Sequence, residues 1–153
     1  MFGLLFASVT HAWGDWKTVA VTAGHGEYPA AFDEDVQSPD SDKVYAMHNL
    51  GVRYYNGIGV VRDYAMALRL FHEAALQGLA SSQNNVGFMY AYGHGVQQDF
   101  VKALMWFRIA DAYGESTAMQ NSEILVGHIS AADREEANRL AQEWIERNTG
   151  IRD

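Results

Sequence analysis

The sequence contains no cysteine. That excludes disulfide frameworks, thiolate zinc sites, iron–sulfur clusters and cysteine nucleophiles together. Proline is nearly absent: Pro29 and Pro39 are the only two, so the last 114 residues hold no obligatory helix breaker, which favours an α-rich body. Basic residues are scarce, 11 Lys and Arg against 19 Asp and Glu, for a net charge of −8 at pH 7. Phosphate contacts need a basic face, so no nucleic-acid partner is expected. What is abundant is apolar surface. Hydrophobic residues make up 48% and aromatics 12% of 153 residues, enough for the core of one domain and against disorder throughout.

The charge is uneven. Residues 1–42 carry seven acids and one base, Lys17, whereas residues 43–116 carry five acids and six bases. A boundary near Ser41 follows, with 1–42 as an N-terminal extension and an acidic linker at 27–42. The acids from Asp33 to Asp42 lack the glycine and closing glutamate of a calcium loop, so they read as solvated linker. Met1 to Val9 is an apolar run of nine residues, too short to span a bilayer as a helix. With Thr10-His11-Ala12 after it, the run resembles the late part of a secretory signal, but a basic n-region is missing. Export to the periplasm or secretion, with cleavage after Ala12, is therefore the expectation; an ordered apolar N-terminus in a cytoplasmic protein is the alternative. Membrane contact is expected only through 1–12.

Sliding the chain by 36 residues aligns 46–80 with 82–116, and twelve of the 35 pairs are identical. They include Gly51/Gly87, Tyr54/Tyr90, Gly57/Gly93, Gly59/Gly95, Val60/Val96, Asp63/Asp99, Leu68/Leu104, Phe71/Phe107 and Gly78/Gly114. A fixed period of this size signals a stacked array. Leu50, Gly51 and Tyr54 form the stripe of a helix A, and a glycine inside a helix implies a close crossing. Gly57 and Gly93 end helix A in the left-handed conformation. Val60 and Val96 plug the loop into the core, and Asp63 and Asp99 cap helix B. Helices are expected near 43–56, 64–77, 80–92, 100–113, 116–126 and 131–147. The fold class is all-α: a short α/α solenoid of antiparallel helix pairs, with two full repeats and a half repeat over 43–127 and a C-terminal capping helix and tail over 128–153. By the same period, 27–32 is a degenerate helix B.

The string Ala46-x3-Leu50-Gly51-x2-Tyr54-x2-Gly57-x-Gly59-Val60-x2-Asp63-x3-Ala67-x3-Phe71-x2-Ala74-Ala75-x2-Gly78-x-Ala80 resembles the Sel-one-like repeat (SLR), a relative of the tetratricopeptide repeat with a longer glycine-rich loop. The second copy departs at Val86, Asp111 and Ser116. Some cysteine-rich members of that family are linked to β-lactam hydrolysis. This chain has neither their cysteines nor a Ser-x-x-Lys motif, so that activity is not carried over.

Other chemistry has weak support. Gly57-Ile58-Gly59 and Gly93-His94-Gly95 follow no strand and lack a third glycine or a Walker lysine, so they are repeat loops and not phosphate cradles. His72-Glu73 has Leu76 where a zincin helix needs its second histidine. The six histidines share no repeat position. No metal and no cofactor are expected, and the chain is read as no enzyme; a site in 13–42 using His25 and nearby acids is a minor alternative.

In tetratricopeptide-like stacks the A helices line the concave side, and this resemblance implies a groove. The expected groove residues are Tyr45, His48, Val52 and Tyr55 in the first repeat and Asn84, Phe88 and Tyr92 in the second. Ser81, Ala91, Thr117, Gln120 and Ile124 extend the same face. Aromatic residues among polar ones are typical of protein-binding hot spots, unless residues 1–42 of the same chain cover them. The expected function is a protein–protein interaction module that binds a peptide or protein surface, in a bacterial-type envelope assembly or signalling role. The alternative is a structural accessory subunit of a larger complex, held by its apolar N-terminus.

Overall fold

The computed structural model describes residues 40–150. They form α1 (Asp40–Asn56), α2 (Tyr64–Leu76), α3 (Ala80–Tyr92), α4 (Phe100–Ala112), α5 (Ser116–Val126) and α6 (Ala131–Thr149). No strand occurs among the described residues. All six expected helices are present. The expected degenerate helix at 27–32 and the signal-like segment 1–12 lie outside the described residues.

The two repeats are built by the same hydrogen bonds. Each A helix stops at a left-handed glycine, Gly57 (φ 72) or Gly93 (φ 69), a conformation that costs other residues steric energy. The next N–H groups fold back: Ile58 donates to the Arg53 carbonyl at 2.9 Å and His94 to the Met89 carbonyl at 3.0 Å. Two further bonds close the loops, Asp63 N–H to the Tyr54 carbonyl and Asp99 N–H to the Tyr90 carbonyl, both at 3.0 Å. The same two aspartates then cap the B helices, their Oδ1 atoms accepting from Met66 N–H at 3.0 Å and Lys102 N–H at 2.9 Å. Such a cap satisfies an otherwise orphaned donor and contributes about 1 kcal/mol.

Helix A and helix B cross where the repeat carries glycine. A Cβ on Gly51 would lie 2.8 Å from the Phe71 ring, and one on Gly87 would lie 2.7 Å from the Phe107 ring and 3.1 Å from the Ala103 carbonyl oxygen. The glycines thus make room for the phenylalanines that fill the seam, Phe71 and Phe107, both buried.

The main core runs from α2 through α4 to α6 and contains Leu68, Phe71, Val86, Met89, Leu104, Trp106, Phe107, Ile109 and Trp144. A second cluster of Met47, Leu50, Met66, Leu70 and Ala74 fills the outer side of the first pair. Val96 packs against the main core as expected, but Val60 is only half-buried and joins neither cluster. The second loop rests on the start of α2, as described below, whereas among the described residues a Cβ on Gly59 of the first loop would meet only the Arg53 side chain. α6 starts at Ser130, whose Oγ accepts from Asp133 N–H at 3.1 Å. It buries Ala137, Leu140, Ala141 and Trp144 and sets the Trp144 ring edge-on to Trp106 and Tyr113, at 5.7 Å in each case. Arg139 pairs with Glu136 and Glu143 on the solvent side. None of the described helices is long and apolar enough to cross a membrane.

Candidate partner-binding groove

Successive A helices present equivalent positions to one side of the stack, and two clefts open between them. The first, about 240 Å³, lies between α1 and α3 and is lined by Val52, Tyr55, Asn56, Asn85, Phe88 and Met89, with Phe71 of α2. The second, about 290 Å³, lies between α3 and α5. Its walls include Phe88, Tyr92, Phe100, Asn121, Ile124 and His128. Phe88 belongs to both clefts, so its ring is the ridge between them. Around the second cleft, apolar side chains stand in water: Tyr92 is 61% and Ile124 60% exposed. Clustered exposure of this kind marks a contact surface more than a scattered residue does.

Among the described residues, no Asp, Glu, Lys or Arg lines either cleft. The polar groups are amides, tyrosine hydroxyls and, in the second cleft, the His128 imidazole. Asn56 Nδ2 donates to the Val52 carbonyl at 2.9 Å and Gln98 Nε2 to the Ala91 carbonyl at 2.7 Å, leaving each amide one further N–H. Asn85, half-buried in the first cleft, makes no side-chain hydrogen bond to the described residues. Burial, with Tyr64 and Tyr92 adding to it, pushes the Tyr55 hydroxyl above its usual range, so it stays protonated.

Of the seven expected groove residues, Val52, Tyr55, Phe88 and Tyr92 line the clefts. His48 and Asn84 do not. They sit in the seams between A helices: His48 Nδ1 lies 2.8 Å from Ser82 Oγ, and Asn121 Nδ2 donates to Asn84 Oδ1 at 2.9 Å. Burial holds the His48 imidazole below its usual range, with Glu115 pulling weakly the other way. Tyr45 is exposed and lines neither cleft. Gln120 is exposed too, and its neighbour Asn121 makes the cross-helix contact instead.

Sequence reasoning did not find His94. A Cβ on Gly95 would fall 2.5 Å from the Tyr64 backbone, so this glycine lets the second loop lie directly on the start of α2. His94 is thereby laid on the Tyr64 ring, with centroids 4.6 Å apart and planes 8° from parallel. Its Nδ1 is 2.8 Å from the Tyr55 hydroxyl, and Tyr92 lies 5.8 Å away. His94 therefore fixes one wall of the first cleft. The only signal was that the residue between the two loop glycines changes from Ile58 to His94. Among the described residues no three His, Asp or Glu side chains come close enough to hold a metal ion.

Two solved structures share this arrangement. One is a protective antigen present in uropathogenic Escherichia coli strains that displays an SLR fold, with a TM-score of 0.64 and 24% identity. It covers 93% of this chain, which in turn covers 33% of it. The other is a Sel1 repeat protein from Oxalobacter formigenes, with a TM-score of 0.57, 24% identity and coverage of 90% of this chain and 55% of its own. This chain thus spans between a third and a little over half of those proteins. No curated protein matches the sequence. Residues 44–79 and 80–110 each match the model of the Sel1 repeat family, whose repeats are generally protein–protein interaction modules and typically non-enzymatic. This chain thus carries two tandem Sel1 repeats, joined by equivalent loop bonds, in an SLR fold.

Proposed function

We propose that this chain is a non-enzymatic interaction module that holds a peptide segment of a partner protein in the groove formed by α1, α3 and α5. The observation that carries the reading is the pair of adjacent, largely apolar clefts sharing Phe88. A large aromatic ring left half-exposed between two cavities has its remaining apolar surface available for a partner, and burying such a ring at a hot spot contributes roughly 2 kcal/mol or more. The test is the double substitution Tyr55→Ala with Phe88→Ala in the full chain. Binding of a native partner should weaken at least tenfold while the helical melt shifts by a few degrees. Unchanged binding by the folded variant would defeat the groove.

An envelope role remains part of the proposal and rests on the signal-like segment 1–12. N-terminal sequencing from the native host tests it: a mature chain beginning at Trp13 supports export, and an intact Met1 in the cytoplasm opposes it. The accessory-subunit alternative predicts a fixed stoichiometric complex that disappears when residues 1–12 are deleted.

A further inference from the structure

We propose that the second cleft takes an aromatic side chain of the partner, a tryptophan or a tyrosine, laid on the Phe100 ring as His94 is laid on Tyr64. This rests on the groove reading above and names the residue type that anchors the peptide.

The two clefts are the same site displaced by one repeat. All seven positions that line the first recur 36 residues on in the second, from Val52/Phe88 to Met89/Leu125. The second adds three side chains, Gln98, Phe100 and His128. Phe100 stands at the repeat position of Tyr64, each being the first residue of its helix B. Tyr64 is half-buried and does not line the first cleft, because His94 covers it. Phe100 is 36% exposed, and among the described residues no ring pairs with it.

The cause is the length of the turn. Seven residues join helix A to helix B in each of the first two pairs, 57–63 and 93–99, whereas four, 127–130, join α5 to α6. At the repeat position of His94 stands Ser130, which caps α6 at Asp133 N–H instead of returning to α4. The contact that seats the second loop on the first repeat is therefore interrupted one repeat later. The receiving ring is present, and the ring it would receive is missing. A partner residue seated on Phe100 continues an interface that the fold already uses.

The internal template also specifies the chemistry. The His94 ring stacks 4.6 Å from Tyr64, with its polar edge bonded to the Tyr55 hydroxyl at 2.8 Å. Ala91 takes the Tyr55 position in the second cleft, so that hydroxyl is lost. Gln98 supplies the polar partner instead: its Nε2 donates to the Ala91 carbonyl and its Oε1 remains free to accept. A ring that carries an N–H or O–H, as tryptophan and tyrosine do, fits both the stacking face and that acceptor. An aliphatic side chain fits neither. An arginine would stack as well, but His128 lines the cleft and, among the described residues, no acidic side chain does. Its charge would be desolvated without a partner.

In the experiment, short random peptides displayed on phage are selected on the full chain. The selected peptides are then synthesised with a fluorescein label for anisotropy titration. They should share a tryptophan or tyrosine at one position. Replacing it by leucine should weaken binding by about fivefold or more on the parent, and by less than about twofold on Phe100→Leu, because the two rings act on each other. Val61→Ala, exposed and outside both clefts, should change nothing. If circular dichroism shows that Phe100→Leu does not fold, Ile124→Ala, exposed in the same cleft, takes its place in the cycle. Peptides that need Phe88 but share no aromatic residue overturn the inference and leave the groove reading standing. So do peptides whose aromatic residue responds equally on the parent and on Phe100→Leu. If Phe100→Leu dissolves self-association in sedimentation, a second copy fills the site; if it shifts the ¹⁵N amide signals of residues 1–39 in the free protein, this chain's own extension does. Either result overturns the inference. If no peptide is selected, both readings fall.

Discussion

His94 lies flat on Tyr64, 30 positions earlier in the chain, with ring centroids 4.6 Å apart and planes 8° from parallel. The contact ties the loop of the second repeat to the first helix pair, and the bond from His94 Nδ1 to the Tyr55 hydroxyl extends it to α1. Aromatic pairs contribute about 0.5–1.5 kcal/mol beyond area, less where half-buried as here, and a neutral hydrogen bond adds about 1 kcal/mol. His94→Ala should therefore destabilise by about 1–2 kcal/mol in urea and weaken partner binding by loosening the Tyr55 wall. Unchanged stability would mean that the loop is held by its glycines alone.

The two crossing glycines should respond differently to alanine. At Gly51 the three atoms nearest an added methyl all belong to the buried Phe71 ring, whereas at Gly87 the Ala103 carbonyl oxygen is among them. Backbone yields less readily than a side chain. Helix propensity returns up to about 1 kcal/mol at either site, against an overpacking cost of about 1–3 kcal/mol. Both variants should be destabilised, Gly87→Ala more than Gly51→Ala. Denaturant midpoints of the two variants check the order.

Leu104 is fully buried on α4, at the heart of the main core. Leu104→Ala should lower stability by about 2–5 kcal/mol through the cavity it leaves. Its effect on partner binding, measured well below the melting transition, should be small, because Leu104 lines neither cleft.

Acid should weaken the fold through His72. It is buried on α2 with its ring edge-on to Trp106 at 5.4 Å, and burial lowers its pKa from 6.5 to about 4. Between those values the unfolded chain binds the proton and the folded chain does not, so stability falls as pH drops from about 6.5 to about 4 and this contribution is flat below. A shift of that size corresponds to about 3 kcal/mol. In denaturation series at pH 7.5, 5.5 and 4.5, His72→Gln should show a shallower loss than the parent. An identical slope would assign the acid sensitivity to other groups.

Most of the fold was legible in the sequence because the repeat fixes it locally. Gly57 and Gly93, Asp63 and Asp99, and Gly51 and Gly87 each act on atoms within their own helix pair, so two copies of each gave two readings of one rule. The cleft walls were legible where helical phase alone decides, at Val52, Tyr55, Phe88 and Tyr92. That reading failed at His48 and Asn84, which point along the same face but into the seam with the next A helix. A single helix's periodicity does not separate a groove wall from a seam. The third A helix meets the second at Asn121, 37 residues after Asn84, so the 36-residue step gave Gln120. His94 depends on Gly95 resting against Tyr64, a contact between repeats that no spacing within one repeat encodes.

The central claim is that the concave clefts are where this protein meets its partner. The most direct measurement is the backbone amide spectrum of ¹⁵N-labelled protein, titrated with a peptide selected on it. Shifts concentrated at Val52, Tyr55, Asn85, Phe88 and Ile124, with the solvent face of α6 silent, are the predicted result. Shifts confined to α6 or to the outer surfaces of α2 and α4, with the amides around Phe88 unmoved, would contradict it.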